Sequence, residues 1–398
     1  DCVTNIITSC KGQIAVIVSA LGGVTNILST MLKKAGNGDL DYKDQIDELE
    51  KRHIDIIKKR IPIIKQSSIT SFIKTQLIDL ENFLDSVYSL KEITTKSSAR
   101  ILNYGEILSS YIIFEILKNK KIDIIYGDSK SLIKTNKINN KDVVNFDITK
   151  KKILNFYKSN TTLIKIFFGF ISSNEKGEPT NLGRGGSDYT AAILANILDA
   201  KILEIWTDVS GMFTANPKLV KQAIPIVKMS YYEAMEMSHF GAKVLYTPTL
   251  KPIIDKNIPM VIKNTFKPDD LGTEITTKNY NEKQIVKGIS HIDNISLLTI
   301  EGSGMVGVPG FSKRVFEAIS KNYINIIMIT QASSEYSICI GLKTEDAEIA
   351  RNSIDKEFSF EISDGKINPT KIETRMVNLA IVGDKMKDHQ GISGKLFS

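Results

Sequence analysis

Short runs of β-branched and aliphatic residues, each closed by glycine or a polar turn, alternate along this chain with long stretches whose apolar residues recur at helical spacing. That alternation is the strongest constraint on the fold. Gln13 to Ser19 (Gln-Ile-Ala-Val-Ile-Val-Ser) has no polar side to offer water, so it belongs in a parallel sheet with both faces covered. It ends in Ala20-Leu21-Gly22-Gly23, a loop at the strand's carboxyl end. Helical spacing follows from Asn26 to Lys34, from about Lys43 to Lys59, from Thr70 to Leu90 and from Ser98 to Leu117. Further strands are predicted over Ile122 to Tyr126, Ile164 to Ser172, Ile202 to Thr207 and Met260 to Lys263. Strands separated by helices predict βαβ units, hence an α/β fold with a mostly parallel sheet sandwiched by helices.

At 398 residues and 42% apolar, the chain can bury two or three domain cores. The pattern changes beyond a polar connector, Thr276 to Lys287. Ser296 to Ile300 reads as a strand, Phe311 to Ser320 as a helix, Ile324 to Thr330 and Ser337 to Leu342 as strands, and Asp346 to Glu357 as a helix. That order suggests a small α+β module over 290–370, after a first domain over 1–280 and a boundary near 276–290. Met376 to Val382 and Gly391 to Phe397 read as the start of a second module, 375–398, that breaks off. With no initiator Met before Asp1, the chain is expected to be a fragment.

Composition removes several function classes. No apolar run approaches the roughly 20 residues of a membrane helix, so a soluble chain with no membrane partner is expected. Cys2, Cys10 and Cys339 are too few and too scattered for a disulfide framework, and cytoplasm is the default compartment. The net charge of +7 is modest for this length and does not imply nucleic acid. His53, His239, His291 and His389 lie far apart, and no protein-held metal site is expected.

The most informative stretch is Gly183-Arg184-Gly185-Gly186-Ser187-Asp188-Tyr189-Thr190-Ala191-Ala192, which follows a strand and opens a helix. Gly185 and Gly186 permit positive φ and close approach, so successive N–H groups can face an anion where the helix dipole also favours one. A phosphate or carboxylate site is one reading; a plain helix start capped by Ser187 is the other. Arg184, suited to bidentate capture of either anion, favours the first. Trp206-Thr207-Asp208 ends another strand, where a ligand crevice of an open α/β sheet would lie, and Asp208 there either meets a ligand or makes an Asx turn. No phosphate-binding G-x-x-x-x-G-K-[ST] occurs, since Gly394-Lys395 is followed by Leu396. Gly302, Gly304 and Gly307 form a G-x-G-x-x-G, but the next strand ends in Gln331 instead of an acidic ribose ligand, which argues against a dinucleotide.

Five segments together carry a family resemblance. They are Val18-Ser19-Ala20 with Thr25-Asn26; Gly105-Glu106; the glycine loop; Trp206-Thr207-Asp208 with Gly211; and Glu233-Ala234-Met235-Glu236 with Phe240-Gly241-Ala242-Lys243-Val244-Leu245. In order and spacing they resemble aspartate kinases of the amino-acid kinase family. Leu297 to Gly310 and Ile329 to Ile338, with Gln331-Ala332-Ser333-Ser334-Glu335, look like ACT-type effector modules, most like those of bifunctional aspartokinase–homoserine dehydrogenases.

The resemblance implies transfer of the ATP γ-phosphoryl group to the side-chain carboxylate of L-aspartate, with Mg²⁺ arriving on the phosphates and no tightly bound cofactor. It assigns the aspartate α-carboxylate to Arg184 and the amino end to Glu106 and Thr25. Ser19, Gly185, Gly186 and Ser187 line the reacting groups and Asp188 organises the catalytic centre, while Thr207, Asp208, Phe213, Lys218 and Lys243 fall where the family binds nucleotide. A feedback amino acid, threonine in preference to lysine, is expected at Gly304, Gly307, Gln331 and Ser333, between paired modules of a homo-oligomer. This sequence departs from the family at Asn216-Pro217-Lys218 in place of Asp-Pro-Arg, at Phe213 in place of Tyr, and at Tyr246-Thr247-Pro248 in place of His-Pro-Arg/Ala. The family's opening Lys-Phe-Gly-Gly strand has no counterpart, so residues 1–398 alone are expected to be nearly inactive. The alternatives are a different acceptor for the same fold, and a non-catalytic amino-acid-binding subunit.

Overall fold

A computed structural model describes residues 1–138, 141–241, 245–246, 249–277, 284–331 and 335–397. They form two compact units: Asp1–Thr214 with Ala223–Met235 and Lys243–Lys283, and Ala215–Gln222 with Glu236–Ala242 and Gln284–Ser398. The main passage between them lies in the polar connector. Two short stretches, one carrying Lys218, group with the second unit although they precede the connector, because packing and not chain order defines a unit. No helix among the described residues is long and apolar enough to cross a membrane.

The chain begins with α1 (Cys2–Ser9), β1 (Ile14–Val18), α2 (Val24–Gly36), α3 (Tyr42–Arg60), α4 (Ile63–Leu90) and α5 (Thr95–Asn119). There follow β2 (Ile124–Gly127), α6 (Ser129–Leu132), β3 (Lys134–Ile138), β4 (Lys141–Val144), α7 (Phe146–Ser159), β5 (Ile164–Phe168), β6 (Ile171–Asn174) and β7 (Pro179–Asn181). Then come α8 (Gly186–Ile197), β8 (Leu203–Thr207), β9 (Lys228–Ser230), α9 (Tyr231–His239), α10 (Lys251–Ile254), β10 (Met260–Asn264) and β11 (Thr273–Thr276).

At the centre of the first unit β1, β5 and β2 make a parallel sheet, with β5 in the middle. Alternation does the rest. Ile14, Val16 and Val18 pack on one face with Ile166, Leu117 and Phe114, while Ala15 and Ile17 pack on the other with Phe167, Ile193 and Leu194. The sheet is therefore sandwiched as expected, with α5 on one side and α8 on the other. Helices α2 to α5 share a separate core of buried aliphatics, including Leu28, Met31, Leu49, Ile73, Leu80 and Leu108. Two four-stranded mixed sheets, β8-β10-β11-β9 and β4-β3-β6-β7, complete the unit.

One expected strand is broken. Ile164 to Ser172 forms two strands in different sheets, because Phe170 adopts φ +64° and turns the chain between them. β3, β4, β7 and α7 escaped the pattern because they are short or polar, and β7 contains a proline.

The second unit contains β12 (Gly288–Glu301), α11 (Phe311–Ser320), β13 (Ile326–Gln331), β14 (Ser337–Lys343), α12 (Ala347–Glu357), α13 (Ser359–Ser363), β15 (Lys371–Val382) and α14 (Ile392–Phe397). The sheet order is β13-β14-β12-β15, and every pairing is antiparallel. Leu298, Ile300, Ile338, Ile340 and Leu342 pack against Val315, Ile319, Ala350 and Ile354, so α11 and α12 cover one face. Met376 to Val382, expected to open another module, belongs to β15, which pairs with β12 from Gly288↔Val382 to Thr299↔Lys371. The strand of the expected second module thus completes the sheet of the first.

Candidate functional site

The carboxyl end of β1 is held by α5. A Cβ on Gly105 would stand 2.9 Å from the Ala20 Cβ, so the absence of a side chain lets the helix lie against the loop. Four residues on, the Ser109 hydroxyl donates to the Ser19 carbonyl at 2.7 Å. Between them Glu106, only 5% exposed, accepts from the Ala20 N–H through Oε1 at 3.4 Å. Its Oε2 is buried without a hydrogen-bond partner among the described residues. Burial pushes the Glu106 carboxyl up to about 7, against the weaker opposing pull of the Ala20 N–H. A buried carboxyl with an oxygen unpartnered among the described residues is a candidate contact for a ligand.

The glycine loop faces the same space. Gly183 and Gly185 have φ +72° and +64°, and Gly185, not Ser187, is the N-cap of α8. No side chain caps that helix. The first helical bond runs from Tyr189 N–H to Gly185 O at 2.9 Å, so the amides of Ser187 and Asp188 precede the helical ladder. Cβ atoms on Gly185 and Gly186 would stand 2.6 Å from Tyr246 Cβ and Phe170 Cδ2, and one on Gly169 would collide with Ser187 Oγ. Asp188, in the first turn, is half-buried and its carboxyl is pushed up to about 6 by desolvation. Arg184 is exposed and forms no ion pair among the described residues.

A cavity of about 740 Å³ joins these groups. It is lined by Ser19, Thr25, Glu106, Arg184, Gly185, Gly186, Ser187 and Asp188, every residue expected to meet the aspartate or the transferring group. Phe170, Asn181 and Gly183 line it too, as do Ile93, Thr94, Thr95, Ser98 and Leu102 along α5 and its approach. Gly183 belongs to the glycine loop; the other seven carried no sequence signal except the i, i+4, i+8 spacing of Ser98, Leu102 and Glu106 on one helix face. The lining carries two acids against one arginine, and both acids are held toward their neutral forms.

Thr207 and Asp208 stand at the carboxyl end of β8, outside that cavity, with Thr207 Oγ1 donating to Asp208 Oδ1 at 3.2 Å. Trp206 beside them lies under the Lys263 ammonium, 5.0 Å from the ring centroid. Gly211, at φ +104°, turns the following loop so that Met212 N–H donates to Thr273 Oγ1 at 2.8 Å, and Phe213 bridges to Pro225. Lys218 is exposed, its amide donating to Asn216 Oδ1 at 3.0 Å, and it belongs to the second unit. Lys243 lies outside the described residues. No three His, Cys, Asp or Glu side chains among the described residues cluster as a metal site.

In the second unit Gly304 and Gly307 lie before α11, and Gln331 is exposed at the end of β13. Gly302 N–H donates to Tyr336 O at 3.1 Å, Gly304 N–H to Lys366 O at 2.9 Å and Gly307 N–H to Glu335 Oε2 at 3.0 Å. Ser333 lies outside the described residues.

Comparison with known proteins follows this geometry. The amino acid kinase family profile matches residues 2–264, and an ACT domain profile matches 298–358. The chain belongs to the amino acid kinase family. Within the family it is 35% identical to the bifunctional aspartokinase/homoserine dehydrogenase of Buchnera aphidicola over 97% of this chain and 48% of that protein. The chain thus spans about half the length of that relative. Escherichia coli aspartokinase III in complex with aspartate and ADP superposes with a TM-score of 0.83 at 25% identity, covering all of this chain and 86% of the other. The complex of the same enzyme with lysine and aspartate gives 0.78 at 26% identity, covering 96% and 83%.

Proposed function

We propose that this family member phosphorylates the side-chain carboxylate of L-aspartate with ATP, giving 4-phospho-L-aspartate. One observation carries the proposal: a single cavity holds an arginine and a buried carboxyl oxygen that are unpaired among the described residues, and the uncapped start of a twelve-residue helix. Those features suit a zwitterion whose third group is an anion. Arg184 takes the α-carboxylate, Glu106 and Thr25 the ammonium, and the α8 amides with Ser19 and Ser187 face the groups between which the phosphoryl moves.

In the reaction a carboxylate oxygen attacks the γ-phosphorus, the bond to the β–γ bridging oxygen breaks, and ADP leaves. Two anions must approach, so positioning and positive potential are what the protein supplies. The nucleotide brings Mg²⁺ on its phosphates, whose charge it offsets, and Asp188, on the glycine-loop side of the lining, organises the catalytic centre. Thr207, Asp208, Phe213 and Lys218, with Lys243, are assigned to the nucleotide. A first step in making aspartate-derived amino acids, carried out in the cytoplasm, is the setting these roles fit.

Regulation belongs to the second unit. A feedback amino acid, threonine in preference to lysine, is assigned to Gly304, Gly307, Gln331 and Ser333. The edges of β13 and β15, unpaired among the described residues, support association of the module with a second copy. The test is steady-state assay of the full-length protein with aspartate, glutamate and N-acetylglutamate as acceptors. Turnover with aspartate alone is expected; preference for either other acceptor overturns the assignment.

A further inference from the structure

The connector between β5 and β6 is strained where it enters the cavity wall. Phe170, a bulky residue, holds φ +64°, a region that L side chains avoid and that persists only where surrounding contacts enforce it. Ile171 N–H donates to Gly169 O at 2.6 Å across the turn, and three further contacts hold it. Gly169 N–H donates to Val18 O at 3.0 Å, Leu182 N–H donates to Phe170 O at 2.9 Å, and Phe170 N–H donates to Thr190 Oγ1 at 3.0 Å. The Thr190 hydroxyl in turn donates to Gly186 O at 2.8 Å. Thr190 is fully buried, one turn into α8, and is not among the residues that line the cavity.

We infer that Thr190 is a positioning residue for phosphoryl transfer. Its hydroxyl ties the strained Phe170 turn to the first turn of α8, and thereby fixes Phe170 and Gly186 on the cavity wall. The inference rests on the aspartate kinase assignment for its kinetic readout only. Without the hydroxyl, the Phe170 amide has no buried acceptor and the turn can relax away from Gly186, where a Cβ-sized space is already filled by the Phe170 ring.

Thr190→Val keeps the shape and removes the hydroxyl, while Thr190→Ser keeps the hydroxyl. In full-length protein, Thr190→Val should lower kcat/KM for aspartate about 10- to 100-fold with ATP KM within about twofold. Thr190→Ser should restore most of the loss. Hydrogen exchange at the Phe170 amide should quicken in Thr190→Val and not in Thr190→Ser. Should Thr190→Val fail to fold, Thr190→Cys, with its weaker acceptor, carries the same comparison. Unchanged aspartate kinetics in folded Thr190→Val, or equal damage from Thr190→Ser, overturns the inference. If the wild-type protein does not phosphorylate aspartate, the functional assignment fails, yet the Phe170 exchange rate still decides whether Thr190 holds the turn, and an unchanged rate overturns it.

Discussion

Two of the glycine turns that lead into helices differ in which of their amides are already bonded. Before α8, Gly183 and Gly185 set the turn, no side chain caps the helix, and nearby Glu106 keeps a buried oxygen unpaired. Before α11, the amides of Gly302, Gly304 and Gly307 are already bonded to Tyr336, Lys366 and Glu335. In the first turn Gly183 N–H and Gly186 N–H are bonded to Asn181 Oδ1 and Gly183 O, and the amides of Ser187 and Asp188 are what it offers a ligand; α11 likewise lacks a side-chain cap. The second is satisfied by its own chain, so a ligand there must displace something.

If that contrast is right, the largest effect should come from Arg184, the one cation lining the first cavity among the described residues. Arg184→Ala removes a bidentate partner from a carboxylate and leaves that anion facing Glu106 and Asp188. The expected outcome is a fall of about 10²- to 10³-fold in kcat/KM for aspartate with ATP KM nearly unchanged. Steady-state kinetics with each substrate varied decides it. An unchanged aspartate KM would mean that the cavity does not receive the α-carboxylate.

Glu106 gives the next largest effect, and its sign differs between stability and binding. Its folded carboxyl titrates near 7, above its ordinary value of 4.5, so between those pH values the folded state binds more protons than the unfolded chain. Folding stability should therefore fall as pH rises from 4.5 to 7, with the loss complete above 7. Glu106→Gln is expected to raise the stability of ligand-free protein by about 3 kcal/mol at pH 8, and by almost nothing at pH 4. Aspartate binding runs the other way, because an ammonium prefers the ionised carboxylate. Aspartate KM should rise as pH falls below about 7 in the wild type, and that rise should vanish in Glu106→Gln. Thermal melts at the two pH values and a pH series of KM measure both halves, and a pH-independent wild-type KM sinks the assignment.

How much of this was legible beforehand depends on the reach of each contact. The sandwiched sheet and the glycine loop were legible because strand and helix periodicities are local. Glu106 was visible only through the family resemblance, since an acid on an apolar helical stretch usually faces water. The Ser109 bond to Ser19 joins residues 90 positions apart, and the Phe170 bond to Thr190 joins residues 20 apart. Neither has a sequence period, so the broken strand at Phe170 and the hydroxyls that hold it were invisible. The alternative reading, Ser187 as N-cap, fails for a local reason: serine is a preferred N-cap, but Gly185 takes the cap with positive φ and places Ser187 in the first turn.

A third and smaller effect tests how tightly the first turn is built. A Cβ on Gly186 would stand 2.6 Å from Phe170 Cδ2 and 3.1 Å from its Cα. Because backbone is close as well as ring, Gly186→Ala should displace the turn, costing about 1 to 3 kcal/mol of stability and part of kcat. Gly307→Ala in the second unit meets no atom within 4 Å, and its cost should come only from φ +69°, about 1 kcal/mol. A larger cost at Gly307 than at Gly186 would break the comparison.

The smallest effect concerns the ligand that the second turn already holds. Glu335, itself at φ +53° and exposed, puts a carboxylate on the Gly307 amide, where the proposed effector site would receive a carboxylate. An incoming anion must displace it and, until it moves, is repelled by it; exposure to water keeps both penalties small. Glu335→Gln leaves a weaker neutral acceptor and removes the repulsion, so effector affinity should rise about 2- to 10-fold, with the sensitivity of affinity to salt reduced. Isothermal titration of L-threonine and of L-lysine into wild-type and Glu335→Gln full-length protein, at low and high salt, reads both quantities. A fall in affinity would show that Glu335 pairs with the effector's ammonium and is no stand-in for its carboxylate; the two glycine turns would then be alike in presenting an acid to a zwitterion, and the contrast between them would reduce to which amides are already bonded.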